Sequence, residues 1–199
     1  MTEQVIRDSD IVRPNVFTQD TLGWTPWLEP KPIEALTDAD RDALKGRRVD
    51  NPYFRLLVRD SVVLGARTRA DIDIFTNEDG GLPRPERELS AAAASRTNGC
   101  LYCASVHSRA ATELSGRRDD VQRLLDEGID SEQDERWTAL IEAAAALTAT
   151  PSHFGPAHIA ALREVGFDDQ AIVDAIQSAA FFNWANRLML SLGEPSPTS

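Results

Sequence analysis

Residues 86–115 read ERELSAAAASRTNGCLYCASVHSRAATELS, and this stretch decides the fold class. Four consecutive alanines, Ala91 to Ala94, lie in a run of good helix formers. Asn98-Gly99 then supplies residues that tolerate the left-handed backbone ending a helix. The pattern predicts a helix over about 86–96, a tight turn, and a second helix from near Cys100 to about Ser115, stopped by Gly116. Joined by so short a turn, the two helices form an antiparallel hairpin.

Helix signals continue on both sides. Thr37 can cap a short helix reaching about Arg47. Pro52 opens a longer one whose apolar face carries Phe54, Leu56, Leu57, Val58, Val62, Val63 and Leu64. Residues 77–81, Asn-Glu-Asp-Gly-Gly, are a strong break. Beyond the hairpin, a helix spans Asp119 to Glu127 before Gly128. Ser131 and Asp134 suggest a cap for one reaching Ala149 before Pro151. Gly155-Pro156 starts another that Gly166 ends. Asp168 begins the last, apolar at Ile172, Val173, Ile176, Phe181, Phe182 and Trp184, and ending before Gly193. Of 26 alanines, 21 follow residue 90, which predicts closely packed helices there. No segment alternates with period two over a useful length. The expected fold is all-α, a bundle of seven or eight helices.

The two ends read differently. Residues 1–33 contain Pro14, Pro26, Pro30 and Pro32, so they cannot be one helix. They are expected to be an extended arm, with residues 34–195 the helical domain. Trp24 and Trp27 would anchor the arm, either folded back on its own domain or laid across a neighbouring subunit. Pro195 and Pro197 predict a frayed tail.

Composition narrows the function. With 21 basic and 32 acidic residues the net charge is −11, which disfavours nucleic acid and anionic membrane as main partners. No run approaches the ~20 apolar residues of a membrane span, and the first ten residues lack the apolar core of a secretory signal. A soluble, cytoplasmic protein is expected. The glycines are scattered, with no phosphate-binding loop, and no organic cofactor is called for.

The two cysteines, Cys100 and Cys103, carry the chemical content. In a reducing compartment a pair so close is expected to be redox-active or metal-binding. On a helix, Cys100 lies about 60° to one side of Cys103 and His107 about 40° to the other. One thiol is then within reach of an imidazole, and the second thiol within reach of the first. A helix N-terminus favours a thiolate, and His107 can accept the proton of Cys103. Glu88 enters through the hairpin. It lies ten residues before Asn98, about 15 Å along its helix, whereas His107 lies eight after Gly99, about 12 Å. Level across the turn, the carboxylate would orient His107, directly or through a water.

Plainer readings stand beside this one. Cysteines often act as small buried hydrophobes, and a lone glutamate is more often solvated. Cys100, Cys103, His107 and Glu88 could together ligate zinc, although structural zinc sites usually draw on two separated ligand pairs. No βαβ pattern supports a thioredoxin-like site. His153 and His158 are expected to be exposed or capping, and Tyr102 to pack.

At these residues the chain resembles the alkylhydroperoxidase-D-like (AhpD-like) branch of the carboxymuconolactone decarboxylase family. The motif is Arg87-Glu88-Leu89, twelve positions from Glu88 to Cys100, then Asn98-Gly99-Cys100-x-Tyr102-Cys103 and His107. Phe182-Asn183-x-x-Asn186-Arg187-Leu188, Leu192-Gly193 and the Trp24-x-x-Trp27 arm resemble the family's peroxidase-related group. The resemblance implies an all-helical fold, assembly as trimers or hexamers, and reduction of hydroperoxides by the cysteine pair. It implies Cys103 as the attacking thiol, Cys100 as the resolving one, and His107 with Glu88 as proton relay. It also implies a dithiol reductant, a lipoyl-bearing protein in the alkylhydroperoxidase-D enzymes. Where the best-known member type has a histidine just before the second cysteine, this chain has Tyr102. The expected function is a thiol-dependent peroxidase. The alternatives are a non-enzymatic redox sensor or oligomeric scaffold, and a zinc-stabilised helical protein.

Overall fold

A computed structural model of the chain describes residues 13–45, 49–79 and 81–198. Strand β1 (Gly23–Pro26) precedes α1 (Asp38–Ala43), α2 (Pro52–Leu57), α3 (Ser61–Thr76), α4 (Arg84–Thr97) and α5 (Leu101–Ser115). Then come α6 (Arg118–Glu127), α7 (Glu135–Thr148), α8 (Pro156–Glu164), α9 (Asp169–Leu192) and strand β2 (Gly193–Ser196). The expected all-α class is what forms.

Local chemistry sets these boundaries. The Thr37 side chain accepts from the Asp40 N–H while the Asp40 carboxylate accepts from Thr37, a capping box that opens α1. That helix ends at Ala43; Arg47, its expected end, lies outside the described residues, as do Gly80 and Ser199. Asn51 and Asp134 cap α2 and α7, and Asp168 caps α9. The long helix expected from Pro52 is two helices. Val58–Asp60 form a 3-10 turn, and the Asp60 side chain takes the Val63 N–H at 3.0 Å to start α3 afresh. Gly99 has φ 77° between α4 and α5, and Gly116 has φ 72° at the end of α5.

Helix α4 is the axis of the molecule. Its residues from Glu86 to Ser95 are all buried, and Ala91 to Ala94 are fully so, which lets α5, α7 and α9 approach closely. Small hydroxyls stitch α4 to α9: Ser90 donates to the Ala175 carbonyl at 2.9 Å and Ser178 to the Arg87 carbonyl at 2.6 Å.

The ends are ordered differently from expectation. Residues Gly193–Ser196 do not fray; they pair antiparallel with β1, Gly23 opposite Ser196 and Pro26 opposite Gly193. Trp27 N–H extends the join to the Leu192 carbonyl at 2.8 Å. Trp24 is buried in the chain's own core, edge-on to Tyr53 at 5.6 Å. Further along the arm, Gln19 accepts from Thr112 at 2.6 Å and donates to the Arg118 carbonyl at 3.1 Å. The described part of the arm is thus folded back on its own helices. Among the described residues, no helix is long and apolar enough to cross a membrane.

Candidate active site

The α4–α5 hairpin places Glu88 and His107 level, and they touch. Glu88 Oε2 lies 2.6 Å from His107 Nδ1, with both residues buried. The ring is packed between Phe182, at 3.8 Å between centroids, and Phe75, at 5.2 Å. With Nδ1 held by the carboxylate, Nε2 is left as the ring nitrogen able to take a proton. On its other oxygen Glu88 meets Arg84 Nε at 3.5 Å.

Cys100 and Cys103 are free thiols and both are buried. Cys100 is the N-cap residue of α5 and Cys103 lies in its first turn. The Cys103 thiol donates to the Cys100 sulfur. That bond lowers the pKa of Cys100 against its burial, helped by the Cys103 backbone N–H and the Asn186 side chain. The same bond, together with burial, pushes the Cys103 thiol well up. The two thiols therefore release their protons as a pair.

Cys103 and His107 line one cavity of about 200 Å³, whose walls include Phe54, Val106, Phe182 and Met189. Cys100 does not line it. Tyr102, expected simply to pack, packs on the core and also borders this cavity. Among the described residues, no group of three or more His, Cys, Asp or Glu is placed to hold a metal ion. His158 accepts the Gly155 N–H at 3.1 Å and so caps α8, far in sequence from the thiols.

Two parts of the site escaped sequence reasoning. Asn186 is fully buried behind the cysteines. It donates to Ser95 Oγ at 3.0 Å and accepts from Asn98 Nδ2 at 3.0 Å, tying α9 to the hairpin turn. The asparagine pattern near residue 186 marked the segment without a role. The second part is Arg67 on α3, which lines the cavity though buried. Its Nη1 donates to Asp71 at 3.2 Å, and its guanidinium lies 5.1 Å from the Phe181 centroid and 5.4 Å from that of Phe54. Arg67 and Asp71, four apart, read as an ordinary surface helix pair. Arg67 Nε and the neighbouring Tyr53 hydroxyl are both buried and lack a hydrogen-bond partner. An unmet buried donor costs about 1–3 kcal/mol, so two beside one cavity are notable. Burial pushes the Tyr53 phenol up to about 12, with the Arg67 charge pulling the other way.

The fold has counterparts among solved structures. A peroxidase-related protein from Silicibacter sp. TM1040 superposes with a TM-score of 0.66 at 27% identity, over 84% of this chain and 87% of that one. An alkylhydroperoxidase AhpD core, a peroxidase-related protein from Ralstonia eutropha JMP134, gives 0.68 at 25% identity, over 81% and 86%. The debrominase Bmp8 shares the fold, with a TM-score of 0.59 at 20% identity over 82% of this chain and 88% of that one. No curated protein matches the chain. Residues 63–146, from α3 through most of α7, match the carboxymuconolactone decarboxylase family. With the hairpin, the fold and the peroxidase-related neighbours in agreement, the chain is similar over residues 63–146 to the carboxymuconolactone decarboxylase family and has the fold of the alkylhydroperoxidase-like proteins.

Proposed function

We propose that this protein is a thiol-dependent peroxidase that reduces organic hydroperoxides through Cys103 and Cys100. The observation that carries the reading is that Cys103 and His107 line the same apolar cavity, while Glu88 holds the far side of the imidazole at 2.6 Å. His107 takes the proton of Cys103. The thiolate attacks the terminal peroxide oxygen, forming an S–O bond as the O–O bond breaks, and the alkoxide leaves with the proton from His107. Cys100 then attacks the Cys103 sulfenic acid, the disulfide forms, and water departs. In sum, ROOH and two thiols give ROH, water and one disulfide; the two electrons come from the thiol pair. A dithiol donor, lipoyl-bearing by analogy with the alkylhydroperoxidase-D enzymes, restores the pair.

A location in the cytoplasm is part of the same reading, since a close thiol pair stays reduced between turnovers in a reducing compartment. Homo-oligomerisation, as a trimer or hexamer, is part of the same reading. Val62, 81% exposed, and the half-exposed Val63 beside it on α3 are apolar surface that a subunit contact would cover. The deciding assay is steady-state reduction of cumene hydroperoxide with dihydrolipoamide. Sustained turnover that vanishes in Cys103→Ser supports the proposal. One round of oxidation without turnover identifies a redox sensor instead, and a wild-type chain that stays reduced refutes both.

A further inference from the structure

Behind the cysteines lies a chain of amides whose orientation can be followed from the surface inward. It starts at Arg187 on α9, an exposed cation that can only donate, and it donates to Asn183 Oδ1. That oxygen also takes a hydrogen bond from Asn98 at 3.1 Å, so Asn98 presents its NH2 group there. The same Asn98 nitrogen meets Asn186 at 3.0 Å, and Asn186 must therefore offer its oxygen. The Asn186 NH2 is left facing the core, with the residue wholly buried. It donates to Ser95 Oγ at 3.0 Å, and the side chain hydrogen-bonds the sulfurs of both Cys100 and Cys103. Ser95 holds both sides of this contact, because its carbonyl accepts the Cys100 backbone N–H at 2.9 Å. The amide cannot turn its oxygen to the thiols without breaking its bonds to Asn98 and Ser95.

Resting on the peroxidase reading, we propose that Asn186 is a third member of the thiol site: its N–H donates to whichever sulfur of the Cys100–Cys103 pair carries negative charge, and so sets the redox poise of the pair. A thiolate accepts a hydrogen bond far better than a thiol does, so the bond stabilises the ionised dithiol over the neutral one and over the disulfide. Both thiols are accordingly drawn down by Asn186. His107 shares the cavity with Cys103 alone, whereas Asn186 reaches both sulfurs and can follow the charge between them. Forming the disulfide removes two electrons and two protons from the neutral dithiol, and two electrons and one proton once one thiol is ionised. Stabilising that ionised reduced form makes the pair the better oxidant and eases its re-reduction by the dithiol donor.

The test is the midpoint potential of the Cys100–Cys103 pair from about pH 6 to 10, equilibrated in thiol–disulfide buffers and read as the oxidised fraction by mass after alkylation. Asn186→Leu keeps the bulk of the side chain and removes the donor. A hydrogen bond to an ion exceeds a neutral one by about 5- to 30-fold in equilibrium constant. Below the first thiol ionisation the two profiles should coincide. Above it the variant should be more reducing by that factor, about 20–45 mV for a two-electron couple, with the break in slope about 0.7–1.5 pH units higher. The other charged or titratable groups facing the pair, Tyr53 on α2, Arg67 on α3 and His107 on α5, are retained, and Tyr53 holds its proton up to about 12. Ser178→Ala removes a different buried α4–α9 hydrogen bond and should leave the equilibrium within about twofold at every pH. An offset of one size at all pH values would make Asn186 a structural tie and overturn the inference, as would coincident profiles. Should the leucine variant fail to fold, Asn98→Ala at the half-buried turn frees the Asn186 amide to rotate and should open a gap of the same sign; no gap there overturns the inference. No hydroperoxide enters this measurement. A pair that shows the gap yet fails in the cumene hydroperoxide assay refutes the peroxidase reading and supports the assignment of Asn186.

Discussion

Replacing Glu88 by glutamine probes the site with the smallest change in shape. Glutamine can still accept a hydrogen bond from His107 Nδ1–H, so the imidazole keeps its orientation between Phe75 and Phe182. What disappears is the negative charge beside the imidazolium that would form when, as proposed, His107 takes the thiol proton. A hydrogen bond to a charged group contributes about 1.5–3 kcal/mol and a neutral one about 0.5–1.5, a difference near 1–2 kcal/mol. At 1.4 kcal/mol per tenfold, oxidation should slow roughly 5- to 30-fold. The lost contact to Arg84, at 3.5 Å and with that side chain 46% exposed, adds little to stability. The weakened Glu88–His107 bond itself should cost no more than about 1–2 kcal/mol, a fall of roughly 2–8 °C in Tm. The measurement is single-turnover oxidation of fully reduced protein by excess hydroperoxide, followed as loss of free thiol, with thermal unfolding of both proteins beside it. An unchanged rate in a folded variant would make Glu88 a structural spectator. A slowing that tracks a collapse in melting temperature would refute the electrostatic argument equally.

Cys100→Ser should consume one equivalent of hydroperoxide and leave a sulfenic acid on Cys103, whereas Cys103→Ser should be nearly inert; mass spectrometry after dimedone trapping distinguishes them, and the reverse pattern exchanges the roles. Gly193→Ala should destabilise the fold by about 1–3 kcal/mol, because the added Cβ would run into the Thr25 carbonyl and the Trp24 ring across the β1–β2 pair. For a chain of this size that is a fall of roughly 2–12 °C in Tm, and an unaltered melting curve would show that the two-stranded closure is dispensable. Tyr53 makes stability depend on alkaline pH. Its folded pKa of about 12 exceeds the 10.0 of a free phenol, so the folded state binds the proton more tightly. The stabilisation is complete below pH 10 and is lost as pH rises toward 12, about 3 kcal/mol in all; Tyr53→Phe should flatten that part of the denaturation profile.

What could be read from the sequence was what depends on neighbours in the chain. The α4–α5 turn is written in Asn98-Gly99, and the two rises measured from it bring Glu88 and His107 level, where they meet. Caps at Thr37, Asp134 and Asp168 are equally local. The β1–β2 pair is the opposite case. Its partners are about 170 residues apart, and Gly-Glu-Pro-Ser carries neither alternation nor β-branched residues, so prolines read as a stop. Asp60 is a cap hidden inside an apolar run, and it divides the helix expected there. Arg67 was invisible for a related reason. A charged residue at i and its counter-ion at i+4 look alike on a surface and under one, and only the packing of α2, α3 and α9 makes this pair internal.

The cysteine pair separates access from acidity. Cys103 borders the cavity, yet the hydrogen bond it donates places negative charge preferentially on Cys100, at the positive end of α5. These are compatible because the pair shares its protons. In the proposed mechanism, once His107 has removed one, the other can sit on either sulfur. The form with the proton on Cys103 is favoured by the hydrogen bond, and the form with the proton on Cys100 is the one the proposed mechanism requires to react. In that reactive form Cys100 is a thiol hydrogen-bonded to the attacking sulfur, already in contact with the atom it must attack next. Removing Cys100 takes away the competitor for the charge while a serine hydroxyl can still donate to Cys103. The first oxidation of Cys100→Ser should accordingly run at least as fast as that of the wild-type chain, and a first step slowed tenfold or more would mean that Cys100 does more than resolve the sulfenic acid.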